Sequence, residues 1–237
     1  RDAASSITGL VGGMNLSDEY APVAEGGQGW HDVQIEIRGP EVSDLVTLFA
    51  ETWEQEEDDP LFPKGLPHRP AALPHGVPVA AIGSNRRKKR KEISQAYLHA
   101  LLNAQRRVWI TNAYFVPSLR FHRAIRHAAA RGVDVRILAP VKTDVRPIYY
   151  ASRALFDGLL RRGIRIFEFQ GSVLHSKTNV IEGEWSSVGS YNLDHLSILH
   201  NLEVTAIVLD KAFGARMEEL FEADFAVSKE VNLQEWR

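Results

Sequence analysis

The chain has 237 residues, of which 44% are hydrophobic and 24% are charged, enough apolar side chains for one large domain or two small ones. Its formal net charge of −2 gives no bulk electrostatic reason to expect nucleic-acid binding. The chain has no cysteine, which excludes disulfides and thiolate metal sites, and it has no apolar run long enough to predict a bilayer-spanning helix.

The first 58 residues predict a strand, a second strand and a helix. Residues 7–13 form a short apolar run that ends in a glycine turn. Residues 33–37 alternate with period two, which is typical of a strand with one solvated face. Pro40 opens an amphipathic helix that ends near the acidic run 54–59. Because six prolines follow between 59 and 78, we predict a linker over 59–75 that joins a first lobe (1–58) to a second lobe (76–237).

The second lobe alternates strands with helices. Strands are predicted at 77–82, 107–113, 133–138, 164–169 and 204–209, with two more around residues 174–190, and helices at 93–105, 118–131, 144–162 and from 211 onward. This alternation predicts an α/β sandwich with a largely parallel sheet.

The polar groups that carry chemistry fall on the two strands around residues 174–190 and just after them. The set comprises His175, Lys177, Glu182, Ser190, Asn192 and Glu203. Residues i and i+2 of a strand share a face, so His175 and Lys177 are predicted to point together. The imidazole can attack phosphorus, while Lys177 and Asn192 can hold the non-bridging oxygens of a phosphodiester.

Three further roles follow from this pattern. Ser190 can add a hydroxyl or backbone donor, and Glu182 is interpreted as a structural carboxylate. Glu203 is predicted to partner His175 and fix its tautomer.

Part of this pattern occurs twice. The segment Gly12-Gly13-Met-Asn15 matches Gly189-Ser190-Tyr-Asn192, and each copy is followed by an acid (Asp32 or Glu203), a strand and a helix. In-line displacement needs a histidine on each side of the phosphorus, which two similar lobes can supply. Asp32 is therefore predicted to partner a first-lobe histidine. The repeat spacing places the equivalent of Glu182 at Ser5 and those of His175 and Lys177 before Arg1, so the first lobe is expected to be truncated.

Two other features leave alternatives open. The basic run from Arg86 and Arg87 to Lys91 is either a solvated loop, a site read by another protein, a contact for anionic lipid, where each basic residue is worth about 1 kcal/mol, or a contact for a nucleic-acid backbone. Tyr114, with Phe115 and Pro117, either lines an acyl or glycerol channel or packs in the core.

The His-x-Lys-(x)4-acid motif with its following Gly-Ser-x-Asn resembles the phospholipase D superfamily. The flanking segments Leu174-His-Ser-Lys-Thr, Asn112-Ala-Tyr-Phe-Val-Pro117 and Trp30-His-Asp32 resemble bacterial cardiolipin synthases, although Glu182 stands where that family usually has Asp. The resemblance implies a phospholipase D-like α/β sandwich of two pseudo-symmetric lobes with mixed, largely parallel sheets. It also implies a phosphatidyltransferase that makes cardiolipin from phosphatidylglycerol through phosphohistidine.

The same resemblance implies a site of His175, Lys177, Asn192, Glu203, Asn15 and Asp32, supported by Ser190, Glu182 and Gly13, with Arg86, Arg87 and Tyr114 near the lipid. No metal and no other cofactor is expected. The expected partner is anionic phospholipid at the cytoplasmic face of the bacterial inner membrane, where the chain would bind peripherally, and a homodimer stays open. The alternatives are a phospholipase D-type hydrolase, an inactive lipid-binding module and, against the near-neutral charge, a nuclease.

Overall fold

Two β-sheets and six α-helices make up the described part of the computed structural model, which covers residues 7–57, 61–62, 68–84 and 91–236. The strands are β1 (Thr8–Gly12), β2 (Gln34–Arg38), β3 (Val79–Gly83), β4 (Arg107–Asn112), β5 (Asp134–Pro140), β6 (Arg165–Phe169), β7 (Lys177–Ile181), β8 (Trp185–Gly189), β9 (Val204–Leu209) and β10 (Ser228–Glu230). The helices are α1 (Val42–Glu56), α2 (Glu92–Asn103), α3 (Leu119–Ala130), α4 (Arg146–Leu160), α5 (His195–Leu199) and α6 (Lys211–Ala226). The predicted strands and long helices are confirmed, whereas α5 and β10 were not predicted.

The large sheet has the strand order β10-β6-β5-β4-β7-β8-β9-β3. Only β4–β5 and β5–β6 are parallel pairs, and the other five are antiparallel. The sheet is therefore mixed, as the resemblance implied, but the prediction that it is largely parallel is wrong. Helices α3 and α4 connect the parallel strands, but no helix separates β7 from β8, so a tight turn reverses the chain there.

Helices cover both faces of this sheet. Side chains of α2, α3 and α4, such as Ile93, Phe121 and Phe156, pack with Ile110 of β4 on one face. On the other face Phe221 and other residues of α6 pack with side chains that point the opposite way from the strands. Side chains of neighbouring residues in one strand thus point to opposite faces of the sheet and pack in different cores. This confirms the predicted α/β sandwich.

The sequence repeat is also a structural repeat. Strands β1 and β2 form a separate antiparallel pair in which Gly12 lies opposite Gln34, two residues after Asp32. In the β8–β9 pair, Gly189 lies opposite Thr205, two residues after Glu203. The β1–β2–α1 unit therefore repeats the β8–β9–α6 unit in the same register. It packs on β9 through a small core of Val11, Ile37, Val42 and Ala206.

Candidate active site

The ends of several strands enclose one cavity of about 490 Å³. Strand β7 begins where the antiparallel β8 ends, and β9 begins beside that point, so the polar residues flanking these strands meet at one edge of the sheet. The cavity is lined by Gly13, Asn15, His175, Lys177, Ser190, Asn192, Asn201, Leu202 and Glu203. Residues of both sequence copies therefore share one cavity, as a two-sided phosphodiester site requires.

His175 is held by backbone pairing with the segment before β2. The His31 amide donates to the Val173 carbonyl and the His175 amide donates to the His31 carbonyl, each at 2.8 Å. This pairing brings the Asp32 carboxylate to His175, with Oδ2 at 2.8 Å from Nδ1. The Asp32 side chain is fully buried behind the imidazole, and its Oδ1 accepts from the Val33 amide at 2.7 Å. The carboxylate is thus fixed on both sides.

The predicted partnership of Glu203 with His175 is wrong, because Asp32 occupies that position. Glu203 instead accepts hydrogen bonds from Ser190 Oγ at 2.5 Å, Ser197 Oγ at 2.7 Å and Asn201 Nδ2 at 3.1 Å. Glu203 directly precedes β9. Because β9 pairs with β8 and not with β7, the Glu203 side chain reaches the end of β8. Burial raises the pKa of Glu203, although the hydroxyl and amide donors and nearby Lys177 oppose this effect.

Lys177 points with His175, as the spacing predicted, although β7 begins only at Lys177. Its Nζ lies 2.8 Å from each ring nitrogen of His175 and also contacts the His175 carbonyl oxygen. Burial lowers the pKa of Lys177 to about 8, while the carboxylates of Asp32 and Glu203 oppose the shift. The side chain therefore remains a cation at neutral pH.

Asn192 lies in the segment after β8, which a buried amide holds in place. Asn112, at the end of β4, accepts a hydrogen bond from the Leu193 amide through Oδ1 at 3.1 Å. Asn192 is buried and its Oδ1 has no hydrogen-bond partner in the described structure. The side-chain oxygen is thus an acceptor that a hydroxyl group of a ligand can reach at the cavity wall. Ser190 does not have this freedom, because its hydroxyl joins Glu203 to the Val204 amide.

Gly13 supports the site by being small. A Cβ atom at this position would lie 2.7 and 2.8 Å from the two carboxylate oxygens of Asp32. Glycine is therefore required for the carboxylate to approach the chain so closely.

Two aromatic residues of the site were not predicted as such. The Tyr20 hydroxyl oxygen lies 2.7 Å from His175 Nδ1, and its ring centroid lies 5.7 Å from that of the imidazole. The Trp30 ring lies 5.6 Å from the same imidazole. Burial, together with nearby Asp32, raises the pKa of Tyr20 to about 12, so the phenol stays neutral. The Trp30-His-Asp32 motif pointed to Trp30, but no motif pointed to Tyr20.

Tyr114 does not line the cavity. Tyr114 places its ring edge-on to His175 at 6.3 Å between centroids, and its hydroxyl donates to Asp144 at 2.6 Å. Burial raises the pKa of Tyr114. Arg86 and Arg87 lie outside the described residues.

Glu182 makes the hydrogen bonds expected of a structural carboxylate. Its Oε1 accepts from the backbone amides of Gln105, Arg106 and Arg107 at 2.8–3.1 Å. It therefore fastens the β7–β8 turn to the start of β4.

A family model described as "Cardiolipin synthase, PLD-like domain" matches residues 97–225, which include the His175–Glu203 segment. The chain belongs to this family. The match covers most of the large sheet and the residues after β8 that line the cavity.

Known cardiolipin synthases are similar to this family member over nearly its whole length. Cardiolipin synthase A of Pseudomonas entomophila is 34% identical over 236 residues, which make up 98% of this chain and 48% of that protein. Cardiolipin synthase A of Pseudomonas putida (strain W619) is 36% identical over 228 residues, or 95% of this chain and 46% of that protein. The chain therefore spans about half the length of these curated relatives.

Solved structures share the fold of this cardiolipin synthase-like chain. Phosphatidylserine synthase of Haemophilus influenzae has a TM-score of 0.70 and 15% identity, covering 96% of this chain and 62% of that one. The phospholipase D family member Nuc of Salmonella typhimurium has a TM-score of 0.56 and 18% identity, covering 66% of this chain and 99% of that one. Within the described residues, no helix combines the length and apolar character needed to cross a bilayer.

Proposed function

We propose that this chain works in a phosphatidyltransferase that makes cardiolipin from phosphatidylglycerol. The proposal rests chiefly on His175, which Asp32 and Lys177 hold at the wall of a cavity that the two sequence copies share. It is supported by relatives named cardiolipin synthase A and by the fold that the chain has in common with a phosphatidylserine synthase.

In the first step, His175 Nε2 would attack the phosphorus of one phosphatidylglycerol. A nitrogen–phosphorus bond forms and the bond from phosphorus to the glycerol oxygen breaks, so that a phosphohistidine results and glycerol leaves after taking up a proton. The Lys177 ammonium and the Asn192 amide would hold the non-bridging oxygens and stabilise their charge in the transition state.

In the second step, a hydroxyl group of another phosphatidylglycerol would attack the phosphohistidine. The nitrogen–phosphorus bond breaks, a new phosphorus–oxygen bond forms, and the hydroxyl proton is removed by a base. Cardiolipin is the product. With water as the acceptor, the same step would give phosphatidic acid, so the acceptor decides between transfer and hydrolysis.

The contact between Asp32 and His175 joins one sequence copy to the other, and it supports a reciprocal contact for Glu203. By the symmetry of the repeat, Glu203 would hold a first-lobe histidine across the phosphorus, and that imidazole would protonate the leaving glycerol. In the described part of the chain, His175 is the one histidine that lines the cavity. We accordingly assign residues 1–58 and 76–237 to two lobes joined by a linker over 59–75.

The substrate implies where the enzyme works. Because phosphatidylglycerol resides in a bilayer, we infer that the chain acts at the surface of the bacterial inner membrane, on its cytoplasmic face, as a peripheral partner of anionic lipid. The two relatives described above come from Pseudomonas bacteria. A homodimer stays a prediction.

The test uses vesicles of phosphatidylglycerol incubated with the protein, including the proposed first-lobe histidine, and the products are followed by mass spectrometry. We expect cardiolipin and glycerol in equal amounts. The His175→Ala variant should lose activity by at least about 10²-fold, as expected for a group that transfers a proton or attacks phosphorus. His99→Ala, at an exposed position of α2, is the control and should keep the wild-type activity.

Other products would contradict the proposal. Phosphatidic acid in place of cardiolipin would identify a hydrolase, and nucleotides released from single-stranded DNA in a parallel assay would identify a nuclease. Vesicle binding without any turnover would identify a lipid-binding module.

A further inference from the structure

The loop between β1 and β2 differs from its repeat counterpart in length. Gly12 and Gln34, which pair across β1 and β2, are 22 positions apart, whereas the equivalent Gly189 and Thr205 are 16 apart. The longer loop contains two 3-10 helices, Asp18–Tyr20 and Val23–Glu25, where the shorter one contains α5. The longer loop carries Tyr20 and brings its phenol to the His175 imidazole.

The Tyr20 hydroxyl and the Asp32 carboxylate meet the same ring nitrogen. Tyr20 Oη lies 2.7 Å and Asp32 Oδ2 lies 2.8 Å from His175 Nδ1. An ionised carboxylate can only accept hydrogen bonds, so the nitrogen that faces it carries the proton. The phenolic oxygen can accept from the same N–H group, and it also contacts the backbone amide of Asn15.

Aromatic packing restricts rotation of the imidazole. Tyr20 lies edge-on to the ring at an interplanar angle of 72°, and Trp30 lies against it at 46°. Tyr20 and Trp30 also pack edge to face on each other, with centroids 5.5 Å apart. Their mutual contact means that the phenol is held in place by more than its hydrogen bond.

We propose that Tyr20 is a positioning residue for His175. Its phenolic oxygen and the Asp32 carboxylate share the Nδ1–H group, which leaves the lone pair of the ring on Nε2. The role of Tyr20 rests on the proposed function and adds a residue to it, because Nε2 is the atom that would attack phosphorus. The other groups that face the imidazole are the Tyr114 ring and the Lys177 ammonium, which lies 2.8 Å from each ring nitrogen and can donate only to Nε2 when Nδ1 carries the proton.

The test is the Tyr20→Phe variant of the full chain, which keeps the ring and removes only the oxygen. Tyr150→Phe, at an exposed position of α4, is the matched control. The first readout is the ¹⁵N spectrum of the histidine side chains, assigned to His175 with a His175→Gln variant. We expect the ratio of the Nδ1–H to the Nε2–H tautomer of His175 to fall about 5-fold in Tyr20→Phe, the equivalent of one typical hydrogen bond. The control should keep the wild-type ratio.

The second readout is phosphatidyl transfer by the same variants. Tyr20→Phe should lower kcat about 3- to 10-fold and leave KM within about twofold, since the phenol acts on the nucleophile and not on lipid binding. An unchanged tautomer ratio, or a changed ratio with wild-type kcat, would overturn the proposal. A wild-type chain without any turnover would reject the proposed function instead, and the tautomer ratio would still decide whether Tyr20 orients the imidazole.

Discussion

Asp32 and His175 are 143 positions apart in the chain, yet Asp32 Oδ2 lies 2.8 Å from His175 Nδ1. The contact crosses from the first sequence copy to the second. It depends on the backbone of His31, whose amide and carbonyl pair with the strand segment that leads into β7. Each copy therefore completes the other, and damage to the first copy should disable the histidine of the second.

The Asp32→Asn variant tests this dependence directly. The amide keeps the shape of the side chain but loses the charge that favours an Nδ1–H imidazole and stabilises its cationic form. We expect kcat to fall by about 10²-fold or more, with little change in KM. Asp157→Asn, which removes the charge from an exposed ion pair between α4 and Arg161 just beyond its C-terminus, is the control for the chemical change. Steady-state kinetics measure the effect. An Asp32→Asn variant that keeps more than a tenth of the wild-type kcat would contradict the role assigned to Asp32.

Gly13→Ala should have a similar effect without touching a polar group. The new Cβ would fall 2.7 Å from Asp32 Oδ2 and 3.1 Å from its Cγ, so the carboxylate has to move away from the imidazole. We expect kcat to fall at least about 10-fold, because a shift of roughly 1 Å in a catalytic group is costly. In Gly158→Ala the added methyl group meets nothing within 4 Å. This control should keep kcat and gain about 0.5–1 kcal/mol of unfolding free energy, since it lies within a helix. Equal kcat for both variants would contradict the steric argument.

Most of the fold could be predicted because its signals are local. Period-two and period-3.6 patterns identify β2, α3 and the strand of Trp109 from a few neighbouring residues each. The direction of strand pairing is not a local property. Whether β7 lies parallel or antiparallel to β4 depends on a turn and on long-range packing, and the alternation of elements misled the prediction there.

The candidate site shows the same division. His175, Lys177 and Asn192 could be found because their types and spacing are unusual together. Whether Asp32 or Glu203 is the partner of His175 could not be predicted from the sequence, because it depends on the pairing of His31 with the chain near Leu174. Tyr20 carries no motif, and only the path of its loop brings it to the imidazole.

Glu182 should contribute to stability and not to turnover. Its carboxylate accepts hydrogen bonds from three consecutive backbone amides and from Arg106 Nε. Replacing Glu182 with Ala leaves those amides without their acceptor, so the free energy of unfolding should fall by about 1–3 kcal/mol. Urea denaturation measures this loss, and kcat under conditions where both proteins are folded should agree within about twofold. A large loss of kcat without loss of stability would reverse the assignment.

The acid dependence of stability provides a second test of Glu182. Burial alone would raise its pKa, but the amide and Arg106 donors outweigh this effect and lower the pKa overall. A carboxyl group with a lowered pKa stabilises the fold above its unfolded value of about 4.3, and that stability is lost as the pH falls through the folded pKa. The wild-type chain should therefore lose more stability than Glu182→Ala on acidification below about pH 4.5. Parallel acid-unfolding curves would contradict the prediction.

The buried Lys177 ammonium should lower the free energy of unfolding and yet be necessary for the reaction. Burial lowers its pKa to about 8, against the opposing effect of Asp32 and Glu203, whereas an unfolded lysine titrates near 10.4. The unfolded chain thus binds more protons between about pH 8 and 10, and the stability of the wild type rises with pH across that window. At neutral pH, keeping this buried ammonium charged lowers the free energy of unfolding by roughly 3 kcal/mol.

The Lys177→Met variant removes this cost together with the charge that would bind phosphate oxygens. At pH 7 its free energy of unfolding should exceed that of the wild type by about 1–3 kcal/mol, and at pH 10 the gap should narrow because the wild-type lysine is then largely neutral. Phosphatidyl transfer should be lost at both pH values. Lys229→Met, on the exposed edge strand β10, should change stability by less than about 0.5 kcal/mol at either pH. Urea titrations at the two pH values check the prediction, and a Lys177→Met variant that is less stable than the wild type at pH 7 would show that the buried ammonium supports the fold.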